Sequence, residues 1–242
     1  MNLIIDFGNT QLKVAVFELK DLKYFQFISY NELNQLIAIF DRYDFSKLGI
    51  TSVREIPPDF KRFIDKCTCE KYFLKSGDPL PISLNYTTPH TLGNDRICNV
   101  IGAKSIFPDK NVLVIDLGTC NKYDFISKNG VFLGGAISPG FKMRFDSMNY
   151  YTDQLPEIQP EAASEFIGDS TKNSMISGAF YGIIGEINFF VEQYIKEFSD
   201  IEIVLTGGFL TYFEKDLKNH IFADPYLTLK GLNEILNFQV NK

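Results

Sequence analysis

Residues 3–10 of this chain read LIIDFGNT, an apolar run that ends in an aspartate, a glycine and a threonine. Residues 112–119 repeat the pattern as VLVIDLGT. The apolar runs predict buried strands, and Asp-x-Gly predicts a tight turn after each. Glycine lets the backbone approach a ligand, amides and a threonine hydroxyl can bind phosphate oxygens, and aspartate can hold a cation or its water. Two copies of the motif therefore predict two similar domains that together bind one nucleotide.

Each copy continues into a returning strand, at residues 12–17 and 122–126, so each turn is predicted to be a hairpin tip. A single Asp-x-Gly would more simply be ordinary turn chemistry. Two copies, each behind an apolar strand, favour phosphate binding. A further apolar strand at residues 201–205 runs into a threonine and the paired glycines Gly207 and Gly208. These glycines would let a flat ring system lie against bare backbone, which makes them candidates for an adenosine-binding region.

Both halves of the chain are predicted to open with three strands. The expected strands lie near residues 2–6, 12–17 and 23–28 in the first half, and near 112–116, 122–126 and 131–137 in the second. In the first half a helix, a strand, a helix and a strand follow, and long helical patterning covers residues 173–198.

This layout is that of the ribonuclease H-like domains of actin and sugar kinases. The predicted fold class is α/β, with two ribonuclease H-like (actin-like ATPase) domains, mixed sheets flanked by helices, and an ATP cleft between the domains. The expected N-terminal domain spans residues 1–108 and the C-terminal domain spans residues 109–242, which includes a final helix near residues 232–238.

Composition narrows the classes of function. The 242 residues are 45% hydrophobic, enough for a large core, and the net charge of -6 argues against nucleic acid as a partner. No apolar run is expected to reach the length of a membrane span, and the first residues read as a strand rather than a signal segment. The prediction is a soluble cytoplasmic protein with neither a nucleic-acid nor a membrane partner.

Cysteine and histidine usage argues against a zinc site. The four cysteines lack paired zinc-type spacing and are expected to be reduced thiols. The chain has two histidines, His90 and His220, which makes a multi-histidine metal site or a histidine-based triad implausible.

The segment between the halves carries a second type of chemistry. Tyr86 is followed by Gly93, Asn94, Asp95 and Arg96, which open a helical stretch. Asp95 could simply satisfy the amides and dipole at a helix N-terminus. Alternatively, Asp95 and Arg96 could serve a hydroxyl nucleophile and an anionic substrate group. The residues alone leave both readings open.

Taken together, these blocks resemble the type III pantothenate kinases, members of the acetate and sugar kinase, heat-shock ATPase and actin superfamily. The resemblance covers nearly the whole chain, and the order and spacing of the blocks are more specific than any one of them. The blocks are Asp6–Thr10 with Lys13; Tyr86, Pro89, Gly93, Asp95 and Arg96; Asp116–Thr119; Gly134–Gly140; Leu155-Pro156; Gly168, Thr171, Ser174, Met175 and Gly178; Thr206–Gly208; and Leu227–Leu232.

The resemblance implies ATP-dependent phosphorylation of pantothenate to 4'-phosphopantothenate, the first step of coenzyme A biosynthesis. Asp95 would accept the proton of the attacking hydroxyl. ATP would be bound by Asp6, Phe7, Gly8, Asn9, Thr10, Gln11, Leu12, Lys13 and Thr119, and pantothenate by Tyr86, Gly93, Asn94, Asp95, Arg96 and Thr171.

The resemblance also implies ions and a partner. Asp6 would hold Mg²⁺, through water, and Asp116 would bind an activating monovalent cation, K⁺ or NH4⁺. The family is usually dimeric, so a homodimer is expected. The chain departs from the family pattern after Thr119, where Cys120, Asn121 and Lys122 replace the usual residues, and Lys122 adds a charge that bears on cation dependence.

Two other functions remain open at this stage. One is a non-enzymatic nucleotide-binding regulator of the same fold, which would bind ATP without turnover. The other is a kinase for a different small alcohol, such as a sugar or polyol.

Overall fold

The computed structural model describes residues 1–9, 11–217 and 221–240. The chain divides into two compact units, one of Met1–Ile106 with the segment that starts at Tyr226, and one of Phe107–Pro225. The predicted boundary after residue 108 lies two residues from the break after Ile106. The segment from Tyr226 onward, which the sequence places in the C-terminal domain, instead packs with the first unit.

The first unit is a mixed sheet flanked by helices. It contains β1 (Asn2–Phe7), β2 (Leu12–Glu18), β3 (Asp21–Ile28), α1 (Leu33–Arg42), β4 (Lys47–Ser52), α2 (Pro58–Lys66), β5 (Glu70–Phe73), β6 (Ser83–Leu84), a 3-10 turn (Pro89–Thr91), α3 (Asn94–Ile106) and α7 (Leu227–Val240). The five-strand order is β3-β2-β1-β4-β5, in which β2 runs antiparallel to β1 and β3, and β4 runs parallel to β1 and β5.

Alternation along β1 assigns its side chains to two faces. Leu3, Ile5 and Phe7 lie in the core that α1 and α2 cover. Because successive side chains of a strand point to opposite faces, Ile4 and Asp6 lie on the other face, and α7 packs against the strand there. The carboxylate of Asp6 is therefore placed by the hydrophobic pattern of its own strand.

Helix α7 joins the first unit through a close crossing with α3. A β-carbon on Gly231 would lie 1.8 Å from the carbonyl oxygen of Cys98, so the two backbones are in contact. Buried polar groups support the packing: Thr228 Oγ1 donates to Asn99 Oδ1 at 2.7 Å, and Asn2 Nδ2 donates to Asn233 Oδ1 at 2.8 Å. These partners are far away in the sequence, so sequence order could not assign α7 to this unit.

The second unit repeats the plan of the first. It contains β7 (Asn111–Leu117), β8 (Cys120–Ile126), β9 (Val131–Pro139), α4 (Phe141–Tyr150), α5 (Thr171–Glu197), β10 (Ile201–Thr206), α6 (Leu210–Phe213) and β11 (Phe222–Ala223). Within the unit the strand order is β11-β10-β7-β8-β9, with β7, β8 and β9 antiparallel and β10 parallel to β7. The repeated motif thus ends two equivalent strands, β1 and β7.

Helix α5 is 27 residues long and, within the described residues, is the one helix that could cross a membrane by length and composition. This corrects the expectation that no apolar run reaches that length. Its most apolar 18-residue window is 44% buried, and Ile183, Ile187 and Val191 pack in the core of the second unit. Interior helices of folded domains have this same composition.

Candidate active site

The first turn joins β1 to β2 and brings a carboxylate and an ammonium together. Asp6 is directly paired with Lys13 across the antiparallel hairpin. Cross-strand pairs point to the same face, and Lys13 Nζ lies 3.5 Å from Asp6 Oδ2. Asp6 is buried, whereas 28% of the Lys13 side chain is exposed. The lysine can therefore reach from its carboxylate towards a bound anion.

Two residues that the sequence analysis missed hold this turn. The Tyr30 hydroxyl donates to the carbonyl of Gly8 at 2.5 Å, and Arg54 donates to the carbonyl of Asn9 at 3.2 Å. The Arg54 guanidinium also lies 4.3 Å from the centroid of the Tyr30 ring, a cation–π contact. Neither residue belongs to a recognisable motif, because each reaches the turn from a different part of the first unit.

Predicted members of this turn differ in what they can offer a ligand. The side chains of Phe7 and Leu12 are fully buried in the core, so these residues can contribute backbone groups alone. Asn9 is exposed and Gln11 is half-buried. The predicted phosphate contact of Thr10 lies outside the described residues.

Thr51 is a further residue that the sequence did not single out. It is paired with Asp6 in the parallel β1–β4 register, so the two side chains share a face. Its Oγ1 is buried and has no hydrogen-bond partner among the described residues. A buried hydroxyl without a partner costs free energy unless it meets water or a ligand, so its position beside Asp6 indicates a place for water or a ligand.

The start of α3 presents the second carboxylate. Asp95 is half-buried in the first helical turn, and its Oδ1 accepts a hydrogen bond from the Arg96 backbone amide at 2.9 Å. Arg96 is buried, with its guanidinium 5.7 Å from the centroid of the Tyr86 ring and one nitrogen 3.5 Å from the Tyr86 hydroxyl. Asn94 Nδ2 anchors the helix start by donating to the Leu74 carbonyl at 3.1 Å.

The buried thiol of Cys98 lies within the electrostatic influence of both carboxylates. Burial raises the pKa of Cys98, the negative charges of Asp6 and Asp95 raise it further, and the positive charge of Lys13 lowers it. Cys98 is fully buried one turn along α3 from Asp95. The charges of the Asp6–Lys13 pair and of Asp95, which is distant from that pair in the sequence, therefore both act on this thiol within the first unit.

The second turn repeats the pairing of the first more tightly. Asp116 is directly paired with Lys122 across the β7–β8 hairpin. Lys122 Nζ lies 2.9 Å from Asp116 Oδ2, and the side chains are 16% and 12% exposed. Thr119, at the tip, is exposed and free to meet a ligand.

Glycines let two neighbouring segments approach the second turn. Gly207 has a φ of +102°, which favours glycine, and a β-carbon there would lie 2.5 Å from the backbone of Leu117. A β-carbon on Gly140, just before α4, would meet the carbonyls of Gly118 and Thr119. Gly208 is exposed beside Gly207. The structure thus gathers Asp116, Thr119, Gly207 and Gly208 in one region, whereas Thr171 lies exposed at the start of α5.

A polar cluster fixes the start of α4 behind this turn. Arg144 donates to the Glu186 carboxylate at 2.5 Å and to the Pro139 carbonyl at 3.0 Å. Tyr123 donates to Glu186 at 2.7 Å, and Ser138 also donates to it. Burial raises the pKa of Glu186, but these hydrogen bonds and the Arg144 charge lower it more, so the pKa lies below its ordinary value. Burial and the hydrogen bond to Glu186 raise the pKa of Tyr123, so its hydroxyl stays a donor.

Asp6 offers the kind of oxygen donor that Mg²⁺ uses in proteins. The part of the chain that the structure describes contains no group of three or more His, Cys, Asp or Glu side chains that could hold a metal. Mg²⁺ usually keeps several waters and is bound by one or two carboxylates together with substrate phosphates. Asp6, beside the first turn, matches that donor set.

Solved structures with a similar fold include a hexokinase and a protein assigned to a family of transcriptional activators. A Campylobacter jejuni protein assigned to the Baf family of transcriptional activators is 18% identical over 99% of this chain and 100% of its own, with a TM-score of 0.63. The ROK hexokinase of Thermus thermophilus is 10% identical over 98% of this chain and 99% of its own, with a TM-score of 0.55. At these identities the likeness concerns the fold alone, and it confirms the predicted fold class.

Sequence relatives identify the family. The model of the family described as type III pantothenate kinase matches residues 2–193. A type III pantothenate kinase of Cytophaga hutchinsonii is 39% identical over 99% of this chain and 100% of its own length, and one of Christiangramia forsetii is 40% identical over 98% of each. The chain belongs to the type III pantothenate kinase family.

Proposed function

We propose that this protein transfers the γ-phosphoryl group of ATP to the primary hydroxyl of pantothenate. The product is 4'-phosphopantothenate, and the reaction is the first step of coenzyme A biosynthesis. Family membership over nearly the whole chain supports the reaction class. The observation that supports the proposal is that Asp6 pairs with Lys13 beside the first turn while the charges of this pair and of Asp95 all act on the buried Cys98 thiol, as expected if the turn and the candidate base serve one site.

ATP is bound by both repeated turns in this proposal. In the first, backbone groups from Phe7 to Leu12 and the Lys13 ammonium meet the phosphates, since Lys13 is exposed enough to leave Asp6. In the second, the exposed Thr119 hydroxyl makes a further ATP contact. Gly207 and Gly208 provide bare backbone for the adenosine. Positioning and charge neutralisation of this kind supply most of the catalysis in phosphoryl transfer.

Asp95 accepts the proton of the attacking pantothenate hydroxyl. An ordinary carboxylate suffices because the proton leaves late in a loose phosphoryl-transfer transition state. Arg96 is buried over the Tyr86 ring, which suits a fixed cation that meets the pantothenate carboxylate. Gly93 and Asn94 shape the start of α3, and Thr171 is the further predicted contact of pantothenate.

Two ions bear on the proposed reaction, Mg²⁺ and a monovalent cation. Asp6 would hold Mg²⁺ through water, and the ion would neutralise charge on the ATP phosphates. The monovalent cation expected at Asp116 does not fit the chain as it stands, because Lys122 already pairs with that carboxylate.

We also infer that the protein is a cytoplasmic homodimer. A homodimer would cover exposed apolar side chains of the second unit, among them Phe166 and Ile167, which are 72% and 81% exposed. A cytoplasmic protein without nucleic-acid or membrane partners is consistent with the net charge of -6 and with the packing of α5.

The substitution Asp95→Asn tests the proposal. Turnover is expected to fall by about 10²–10⁴-fold, the usual contribution of a general base, while ATP affinity is retained. The assay is pantothenate-dependent ADP release alongside calorimetric ATP binding. Asp59→Asn is the matched control, because Asp59 is an exposed carboxylate near the start of α2 in the same unit.

Three outcomes would contradict the assignment. Full turnover in Asp95→Asn would remove Asp95 from the proposed role. ATP binding without pantothenate-dependent ADP release in the unsubstituted protein would favour the regulator. Turnover with a sugar or polyol instead of pantothenate would identify a different alcohol kinase, since sites built around a substrate's polar groups reject analogues that lack them.

A further inference from the structure

The buried carboxylate of Asp116 has its counter-ion on the same chain. We propose that the Lys122 ammonium permanently takes the place of the monovalent cation at Asp116, so that this enzyme needs neither K⁺ nor NH4⁺. The inference rests on the proposed function for its kinetic consequence, but the occupancy of Asp116 can be measured without turnover.

Strand register brings the two groups together. Asp116 and Lys122 are direct partners across the β7–β8 hairpin, and Lys122 Nζ lies 2.9 Å from Asp116 Oδ2. Both side chains are largely withdrawn from solvent, with 16% and 12% exposure. The tight pairing and low exposure hold the ammonium at the carboxylate.

The equivalent pair of the first unit shows that this closeness is particular to Lys122. Lys13 and Asp6 are also direct partners across their hairpin, yet their charged atoms are 3.5 Å apart and Lys13 is 28% exposed. Lys13 thus suits a role at a bound phosphate, whereas Lys122 is hydrogen-bonded to its own aspartate.

The lysine ammonium has the chemistry needed to replace a free monovalent cation. It is an alkylated ammonium ion, a compact single positive charge with three N–H donors, as in NH4⁺ with one hydrogen replaced. A buried carboxylate needs one compensating charge, and Lys122 supplies it. A second monovalent cation at Asp116 would meet the repulsion of the first, so a free ion and Lys122 exclude each other there.

The position of Asp116 beside the second turn links its charge to the proposed reaction. Asp116 lies near the end of β7, and a β-carbon on Gly118 would lie 3.4 Å from Asp116 Oδ1. The carboxylate therefore packs against the turn that presents Thr119. Neutralising Asp116 with a covalently attached cation keeps this turn organised whatever ions the solution contains.

The first experiment uses the unsubstituted protein. Thallium(I), a spectroscopic stand-in for K⁺, is titrated and followed by thallium NMR, and pantothenate-dependent turnover is compared in potassium, sodium and tetramethylammonium chloride. We expect no saturable thallium binding and equal turnover in the three salts. Saturable thallium binding, or turnover that requires potassium, would overturn the inference. If pantothenate-dependent turnover is absent altogether, the proposed function fails, while the thallium titration still decides the occupancy of Asp116.

The second experiment removes the Lys122 ammonium from Asp116. Lys122→Ala leaves space beside Asp116, and Lys122→Met fills the space with an uncharged chain. In tetramethylammonium both variants should lose about 10- to 100-fold in turnover, the range seen when a group supporting a charged site is removed. Potassium or ammonium should restore Lys122→Ala, with new saturable thallium binding, but not Lys122→Met. Circular dichroism checks that each variant is folded.

Lys110→Ala is the matched control, because Lys110 pairs with Asp200 on the exposed surface of the same unit. It should show neither the loss nor the rescue. A folded Lys122→Ala whose reduced turnover is not restored by any salt, and whose KM for ATP is raised, would assign Lys122 to substrate phosphate instead and overturn the proposal.

Discussion

The crossing of α3 and α7 gives the sharpest structural prediction, through Gly231→Ala. The added methyl group would lie 1.8 Å from the Cys98 carbonyl oxygen, so the helices would have to separate by roughly 1.5 Å to reach ordinary contact. Overpacking of a core costs about 1–3 kcal/mol, and this case belongs at the upper end because the obstacle is backbone. Part of this cost is offset, because alanine is about 1 kcal/mol more favourable than glycine in a helix interior. The free energy of unfolding should therefore fall by about 2 kcal/mol.

The assay is urea denaturation followed by circular dichroism, since the chain has no tryptophan. Turnover should fall too, because α3 begins at Asn94 and carries Asp95 in its first turn. Gly185→Ala is the matched control: a β-carbon on this α5 glycine meets nothing within 4 Å, so the substitution should raise the free energy of unfolding by about 0.5–1 kcal/mol. Equal, stabilising effects of both substitutions would refute the close crossing.

Two further substitutions probe polar groups that the sequence did not single out. The pKa of Glu186 is lowered from 4.5 in the folded state, so its ionisation stabilises the protein above pH 4.5 and this stabilisation is lost as pH falls through the lowered pKa. Thermal melts should therefore show a steeper acid loss for the unsubstituted protein than for Glu186→Gln, and parallel profiles would contradict this. Thr51→Val removes a buried hydroxyl without a partner in the described residues, so the free energy of unfolding should stay within about 0.5 kcal/mol or rise, while KM for ATP rises. A large destabilisation with unchanged KM would show that the hydroxyl is structural.

The elements that the sequence predicted well are those set by local pattern. Apolar runs before Asp6 and Asp116 form strands because such runs are buried on both faces of a sheet, and the glycines after them turn the chain. The expected first strands, from residues 2–6 and 112–116, match β1 and β7 closely. The candidate site was predictable where motif residues are contiguous, as in the two turns and the start of α3.

Residues that support those motifs could not be predicted in this way. Tyr30, Arg54 and Thr51 reach the first turn from the β3–α1 connection, the segment after β4 and β4 itself. Each acts through a contact between parts of the chain that are distant in sequence, and none has a pattern of its own. Arg144 and Glu186 are likewise joined only when α4 packs on α5.

By itself the sequence determined the two repeated strand-turn-strand units, the family and hence the reaction class, because these depend on residue order and short-range spacing. Tertiary structure alone decided that α7 completes the first unit, that the charges of Asp6, Lys13 and Asp95 act on Cys98, and that Lys122 contacts Asp116. These features arise when separate segments pack into contact, and the free energy of that packing depends on shape and burial across the whole unit.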